Sequence, residues 1–158
     1  MTIRVAWGLV LAALVLAGCD SGDTPYLKIA GGGFVFNYRI AEATCNVVAE
    51  PLRALPEGAV LEGEFENPQG GEALRVTRTP VAPQRRYMLT SPPLHGVQAD
   101  RPYGVTLRLR DAAGTLLEEH VRAFTSTVDQ SVLPKVPLTI GPGYTRNPES
   151  FGGVPPAR

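Results

Sequence analysis

The chain has 158 residues, with 15 basic and 15 acidic side chains, 44% hydrophobic residues, 17 Gly and 15 Pro. The length suits one domain, the apolar share excludes a wholly disordered chain, and zero net charge speaks against a nucleic-acid binder, whose domain is usually strongly basic. Two Cys exclude a disulfide-rich scaffold and a four-thiolate zinc site.

Arg4 is the only charged side chain before Asp20, and residues 5–17 form an unbroken apolar run. A bilayer-spanning helix needs about 20 such residues, so this run is short for a span. A charged start, a short apolar middle and a small-residue end are the marks of a secretory leader. The leader closes on Leu16-Ala17-Gly18-Cys19. This tetrapeptide resembles the lipobox of bacterial lipoproteins at all four positions. The resemblance covers residues 1–19. It implies a diacylglycerol on the Cys19 thiol, cleavage before Cys19 and an acyl group, such as palmitate, on the new terminus. Two or three acyl chains hold a protein on a membrane stably, whereas one holds it marginally. Asp20 is similar to the signal that retains lipoproteins in the inner membrane of enteric bacteria. The expected organisation is a leader over 1–18, a lipidated terminus and tether over 19–26, a folded domain over 27–133 and a Pro/Gly-rich tail over 134–158. The expected location is the cell envelope, facing the periplasm.

With Cys19 alkylated, Cys45 has no partner within the chain and packs as a small, inert hydrophobe. Residues 34–40 alternate, with Phe34, Phe36, Tyr38 and Ile40 on one face of an expected strand. If residues 43–48 are extended, Ala43, Cys45 and Val47 share a face. Residues 60–66 set Leu61, Gly63 and Phe65 against Glu62, Glu64 and Glu66. Asn67-Pro68-Gln69-Gly70-Gly71 then reads as a hairpin connection to a strand at 74–77. Residues 86–90 form a short strand. Residues 104–110 set Val105, Leu107 and Leu109 against Thr106, Arg108 and Arg110, and Asp111-Ala112-Ala113-Gly114 turns into a last strand at 116–124. Prolines recur too often for helices of more than a few turns. About seven short strands with Gly/Pro turns predict an all-β, antiparallel sandwich of immunoglobulin-like or fibronectin-like type. Trp7 is the only Trp and belongs to the leader, so the immunoglobulin Cys…Trp…Cys pattern is missing and the likeness is architectural.

The tail is too rich in Pro and Gly for helix or central strand. Its first half is expected along a sheet edge, and residues 151–158 without fixed structure. Gly31-Gly32-Gly33 lacks the Lys and Ser/Thr of a phosphate loop, so it reads as a turn or bulge. His95 lies in a Pro/Gly loop. His120 is two residues from Glu118 on an expected strand, and reads as a surface His in a charged row. That pair supplies two metal donors where a site needs three or four. Neither nucleophile–base spacing nor a cofactor motif appears.

Charge is unevenly distributed. Glu57, Glu62, Glu64, Glu66 and Glu72 follow one another with no basic residue between, while Arg dominates from Arg75 to Arg110. Cross-strand Glu–Arg pairing on a solvated face accounts for this pattern. The alternative is a polarised surface, with Glu62, Glu64, Glu66, Arg108 and Arg110 docking a partner. The function expected is that of a lipid-anchored, non-enzymatic envelope lipoprotein. It needs no cofactor, holds the membrane through Cys19, and acts on an envelope protein as an interaction or accessory module. A carrier or sensor of a small ligand or metal through His120, Glu118 and Cys45 is the alternative, and a small envelope hydrolase ranks below it.

Overall fold

A computed structural model describes residues 24–153. The leader, the lipobox and Asp20 lie outside the described residues, as do residues 154–158. The chain folds as an all-β sandwich. Its strands are β1 (Leu27–Asn37), β2 (Glu42–Pro51), β3 (Val60–Phe65), β4 (Leu74–Arg78), β5 (Tyr87–Thr90), β6 (Pro102–Arg110) and β7 (Leu116–Thr125). One sheet has the order β1-β2-β5 and the other β4-β3-β6-β7, with every pairing antiparallel. A small hairpin of β8 (Thr139–Ile140) and β9 (Thr145–Arg146) follows. No helix among the described residues is long and apolar enough to cross a membrane.

The two-residue alternation places the core between the sheets. Ala43, Cys45, Val47 and Ala49 of β2 face Leu61 and Phe65 of β3 and Tyr103, Val105, Leu107 and Leu109 of β6, all buried. The Phe34 and Tyr103 rings meet edge to face at 5.3 Å, tying β1 to the opposite sheet. Gly63 lies inward among Leu89, Phe65 and Val76, where a side chain would be crowded.

The first strand departs from expectation at both ends. It begins at Leu27 and closes at Asn37, so Tyr38 and Ile40 belong to the turn. The Asn37 side chain accepts a hydrogen bond from the Arg39 N–H, and Ala41 takes a φ of 56°, which together bend the chain into β2. The three glycines lie within β1, not in a turn. A register shift between Ile29 and Gly31 marks a bulge.

Strand register defines two ends of the sandwich. Leu27 pairs with Pro51, Ala49 with Tyr87, Leu61 with Arg78 and Val60 with Arg110. The chain enters the fold at this end, which also carries the loops over 52–59 and 79–86. The hairpin turn over 38–41, the loop over 66–73 and the start of the tail lie at the other end.

The tail pairs with itself instead of extending a sheet edge. Its Gly141-Pro142-Gly143 turn, with Gly141 and Tyr144 at φ of 70° and 52°, closes the β8–β9 hairpin. The Thr139 N–H donates to the Arg39 carbonyl at 2.9 Å, fastening this hairpin beside the β1–β2 turn. Asn147 is buried and donates to the Pro137 carbonyl at 2.8 Å. A 3-10 turn over Pro148–Phe151 follows, with Pro148 at its start, where a missing N–H does no harm.

Candidate functional site

The charged rows singled out in the sequence meet on the outer face of the four-stranded sheet. Alternation turns Glu62 and Glu64 of β3 away from the core, and antiparallel register sets Arg108 of β6 directly opposite Glu62. Arg108 Nη1 lies 3.2 Å from Glu62 Oε1 and 3.0 Å from Glu64 Oε2, and its Nε lies 2.7 Å from Glu119 Oε2 on β7. Arg110 Nε reaches Glu62 Oε2 at 3.2 Å, and Arg75 Nε of β4 reaches Glu64 Oε2 at 3.0 Å. The result is a ladder across four strands, Arg75–Glu64–Arg108–Glu119, with a Glu62–Arg110 rung beside it.

Glu66 lies just past β3 and forms a separate cluster. Its carboxylate binds Arg101 Nη2 at 2.6 Å and accepts the Gly104 N–H at 2.8 Å. The Arg108 and Arg75 guanidinium groups hold the Glu64 carboxyl below the usual carboxylate range. Glu119 and Glu64 keep Arg108 firmly protonated. All five residues read as a docking row are thus satisfied by partners within the domain.

Edge strand β7 carries a second constellation. Its inward positions Glu118, His120 and Phe124 stand opposite Leu109, Leu107 and Tyr103. His120 is therefore half-buried on the inner side of the edge, and the outer charged row contains Glu119 instead. His120 Nε2 lies 3.0 Å from Glu118 Oε1. Glu118 Oε2 accepts the backbone N–H groups of Tyr26 at 2.9 Å and Leu27 at 3.2 Å. This carboxylate clamps the start of the fold to its last long strand. No sequence signal announces the clamp, because the partners are 92 and 91 residues apart and one is backbone.

Cys45 sits on the other sheet, facing the core. Burial pushes its thiol up to about 12, so it is protonated and unreactive at neutral pH. Its backbone N–H donates to Ser91 Oγ at 3.0 Å. His95 is exposed on the loop after β5. Cys45, His95 and His120 do not converge on one cleft. Among the described residues no three His, Cys, Asp or Glu side chains are placed to share a metal ion.

A third arrangement surrounds the entry of the chain. Lys28 Nζ and Arg86 Nε both bind Glu50, at 2.9 and 2.8 Å, and hold its carboxyl below the usual range. The Tyr26 carbonyl accepts the Leu52 N–H at 2.8 Å, and the Arg53 guanidinium lies 3.6 Å from the centre of the Tyr26 ring. Next to them a hollow of about 630 Å³, lined by Leu52, Leu55, Pro56 and Tyr87 but also by Arg53, Glu57 and Gln84, opens between the loops over 52–59 and 79–86.

No family model and no curated protein matches the sequence. Among solved structures 31 chains match. One is an endonuclease/exonuclease/phosphatase from Beutenbergia cavernae DSM 12333, at 12% identity and a TM-score of 0.31. The alignment covers 63% of this chain and 36% of that one. Similarity at this level transfers neither that protein's fold nor its activity.

Proposed function

We propose that this chain is a lipid-anchored lipoprotein of the bacterial cell envelope, whose β-sandwich is a non-enzymatic interaction or accessory module. The observation that carries the reading is the Leu16-Ala17-Gly18-Cys19 match, standing eight residues before the first strand. A short link between an acylated Cys19 and a compact domain is what a membrane-tethered module needs. Two features of the domain support a non-enzymatic role. The ionisable groups of the four-stranded face neutralise one another, and the only described thiol is a buried core residue. Within the sandwich class we read the fold as fibronectin-like. Here β4 joins the sheet of β3, β6 and β7, whereas the immunoglobulin constant-type arrangement sets the fourth strand beside the fifth in the other sheet. Asp20 favours retention in the inner membrane, with the domain in the periplasm. The hairpin and 3-10 turn of the tail, at the end remote from the anchor, are where an envelope protein partner has freest access.

The test is the intact mass and membrane fractionation of the natural product beside Cys19→Ser. The expected result is a chain beginning at Cys19 with acyl groups attached, and a variant that carries no diacylglycerol and leaves the membrane fraction. An unmodified Cys19 thiol in the mature wild-type protein overturns the anchor.

A further inference from the structure

The end of the sandwich where the chain enters combines three properties seldom found together on a water-facing surface. Its loops expose apolar side chains: Leu52 is 45% exposed and Val81 61%. Between their two loops lies the hollow of about 630 Å³, walled by Leu52, Leu55, Pro80 and Tyr87 together with Arg53 and Glu57. Around it stand Arg53, Arg85 and Arg86, with Lys28 further along the same end, against Glu50, Glu57 and Asp111 of the turn packed on Gly58, and Glu50 is already shared by two of the cations. Exposed apolar side chains beside a modest excess of positive charge suit the boundary between anionic headgroups and acyl chains. The loop over 66–73 at the opposite end is polar, with Asn67, Gln69, Gly70, Gly71 and Glu72.

Chain geometry adds an independent constraint. Tyr26 stands seven positions after Cys19, a path of at most about 25 Å when fully extended. Tyr26 is itself fastened to this end by the Leu52 hydrogen bond and the Arg53 stack. An anchor at Cys19 therefore keeps this face, and not the end that carries the polar loop over 66–73 and the tail hairpin with exposed Ile140 and Tyr144, within reach of the bilayer.

We propose that this end is a lipid-docking surface. Leu52 and Val81 enter the headgroup–acyl boundary, while Arg53 and Arg85 meet anionic headgroups. The proposal rests on the lipoprotein reading for how the face is delivered to the membrane, but the surface acts on lipid by its own chemistry. The occupant is a lipid bilayer and not a protein, because the exposed apolar side chains, the cationic groups and the short tether all converge on the same end.

The experiment uses the full chain in protein-free vesicles of phosphatidylethanolamine and phosphatidylglycerol. A nitroxide is placed on Val81→Cys or, at the polar end, on Gln69→Cys, with the buried Cys45 left in place. The expected result is a label at 81 that relaxes with membrane-dissolved oxygen and is shielded from a water-soluble relaxant, with the reverse at 69. Adding Leu52→Ser and Arg85→Glu to the first variant is expected to return the label to water. Equal exposure to the aqueous relaxant at both positions overturns the proposal. So does shielding of position 81 in native envelope fragments but not in protein-free vesicles, which identifies a protein partner instead. The mass of each labelled chain reports acylation of Cys19 separately. A chain without acyl groups whose residue 81 still enters the bilayer sinks the anchor and keeps the docking surface. An acylated chain whose residue 81 stays in water does the opposite.

Discussion

Gly32 shows how little room the two sheets leave each other. A methyl group in place of its hydrogen would lie 2.2 Å from the Phe124 ring and 2.5 Å from the Asn46 carbonyl oxygen. The ring can turn aside, but the carbonyl belongs to the neighbouring strand and cannot. Gly32→Ala is therefore expected to destabilise the domain by about 1–3 kcal/mol, measured by urea unfolding. Gly31, one residue away, has open space where its side chain would be. Gly31→Ala is expected to be neutral or to stabilise by up to about 1 kcal/mol, through a less flexible unfolded chain. Equal losses at both sites would contradict the packing of Phe124 over Gly32. Cys45 gives a second test at this scale. Its thiol is raised from an ordinary 9.0 to about 12, so the folded state prefers the protonated form. The associated stability is fully present below pH 9.0 and is lost as pH rises from there towards 12. Comparison of wild type with Cys45→Ala between pH 7 and pH 10.5 is expected to show a steeper alkaline decline in the wild type. Parallel curves would mean that the thiol is exposed.

At the scale of elements, the charged ladder is a device for joining four strands on a face that water reaches. Each exposed pair contributes about 0.2–1 kcal/mol, and Arg108 serves three carboxylates at once. Arg108→Met is expected to cost about 1–2 kcal/mol, since it also leaves Glu62 and Glu64 without their shared cation. The Glu64 carboxyl is held below its ordinary range, so its stabilisation is present above the unfolded carboxylate range and disappears as pH falls through the folded value. The difference between wild type and Arg108→Met in urea midpoint is thus expected to shrink on acidification below about pH 4. A constant difference down to pH 2 would assign the loss to packing alone. The inner faces of β2, β3 and β6 were legible in the sequence because one side of each strand is dry and the other wet, as Ala43, Cys45 and Val47 or Val105, Leu107 and Leu109 show. Strand β7 was legible as a strand but not in orientation. Glu118 and His120 face inward at a sheet margin that is only half closed, so the apolar–polar rhythm fails there. The beginning of β1 was hidden for another reason: its glycines carry no pattern, and the bulge at Ile29 and Gly31 shifts what pattern there is.

At the scale of the whole molecule, the acidic row and the basic row look like separate surfaces while strand order is unknown. Once β3 lies between β4 and β6, residues 46 positions apart in the chain become neighbours, and the rows cancel. The entry face was illegible for the same reason. Leu52 and Arg85 come from two loops that only the closed sandwich brings to one end, where Leu52 is bonded to Tyr26. The Glu118 clamp belongs to the same end, since it fixes Tyr26 and Leu27 where the described fold begins.

That clamp and the position of the tail have a mechanical consequence. The chain enters at one pole of the sandwich and its C-terminal hairpin is fastened near Arg39 at the other. A pull between a membrane and something gripping that hairpin would run along the length of β1 and β7. Their backbone bonds would then bear the load together, in shear, instead of opening one at a time like a zip. Loaded from its two poles, such a body would resist with many bonds at once.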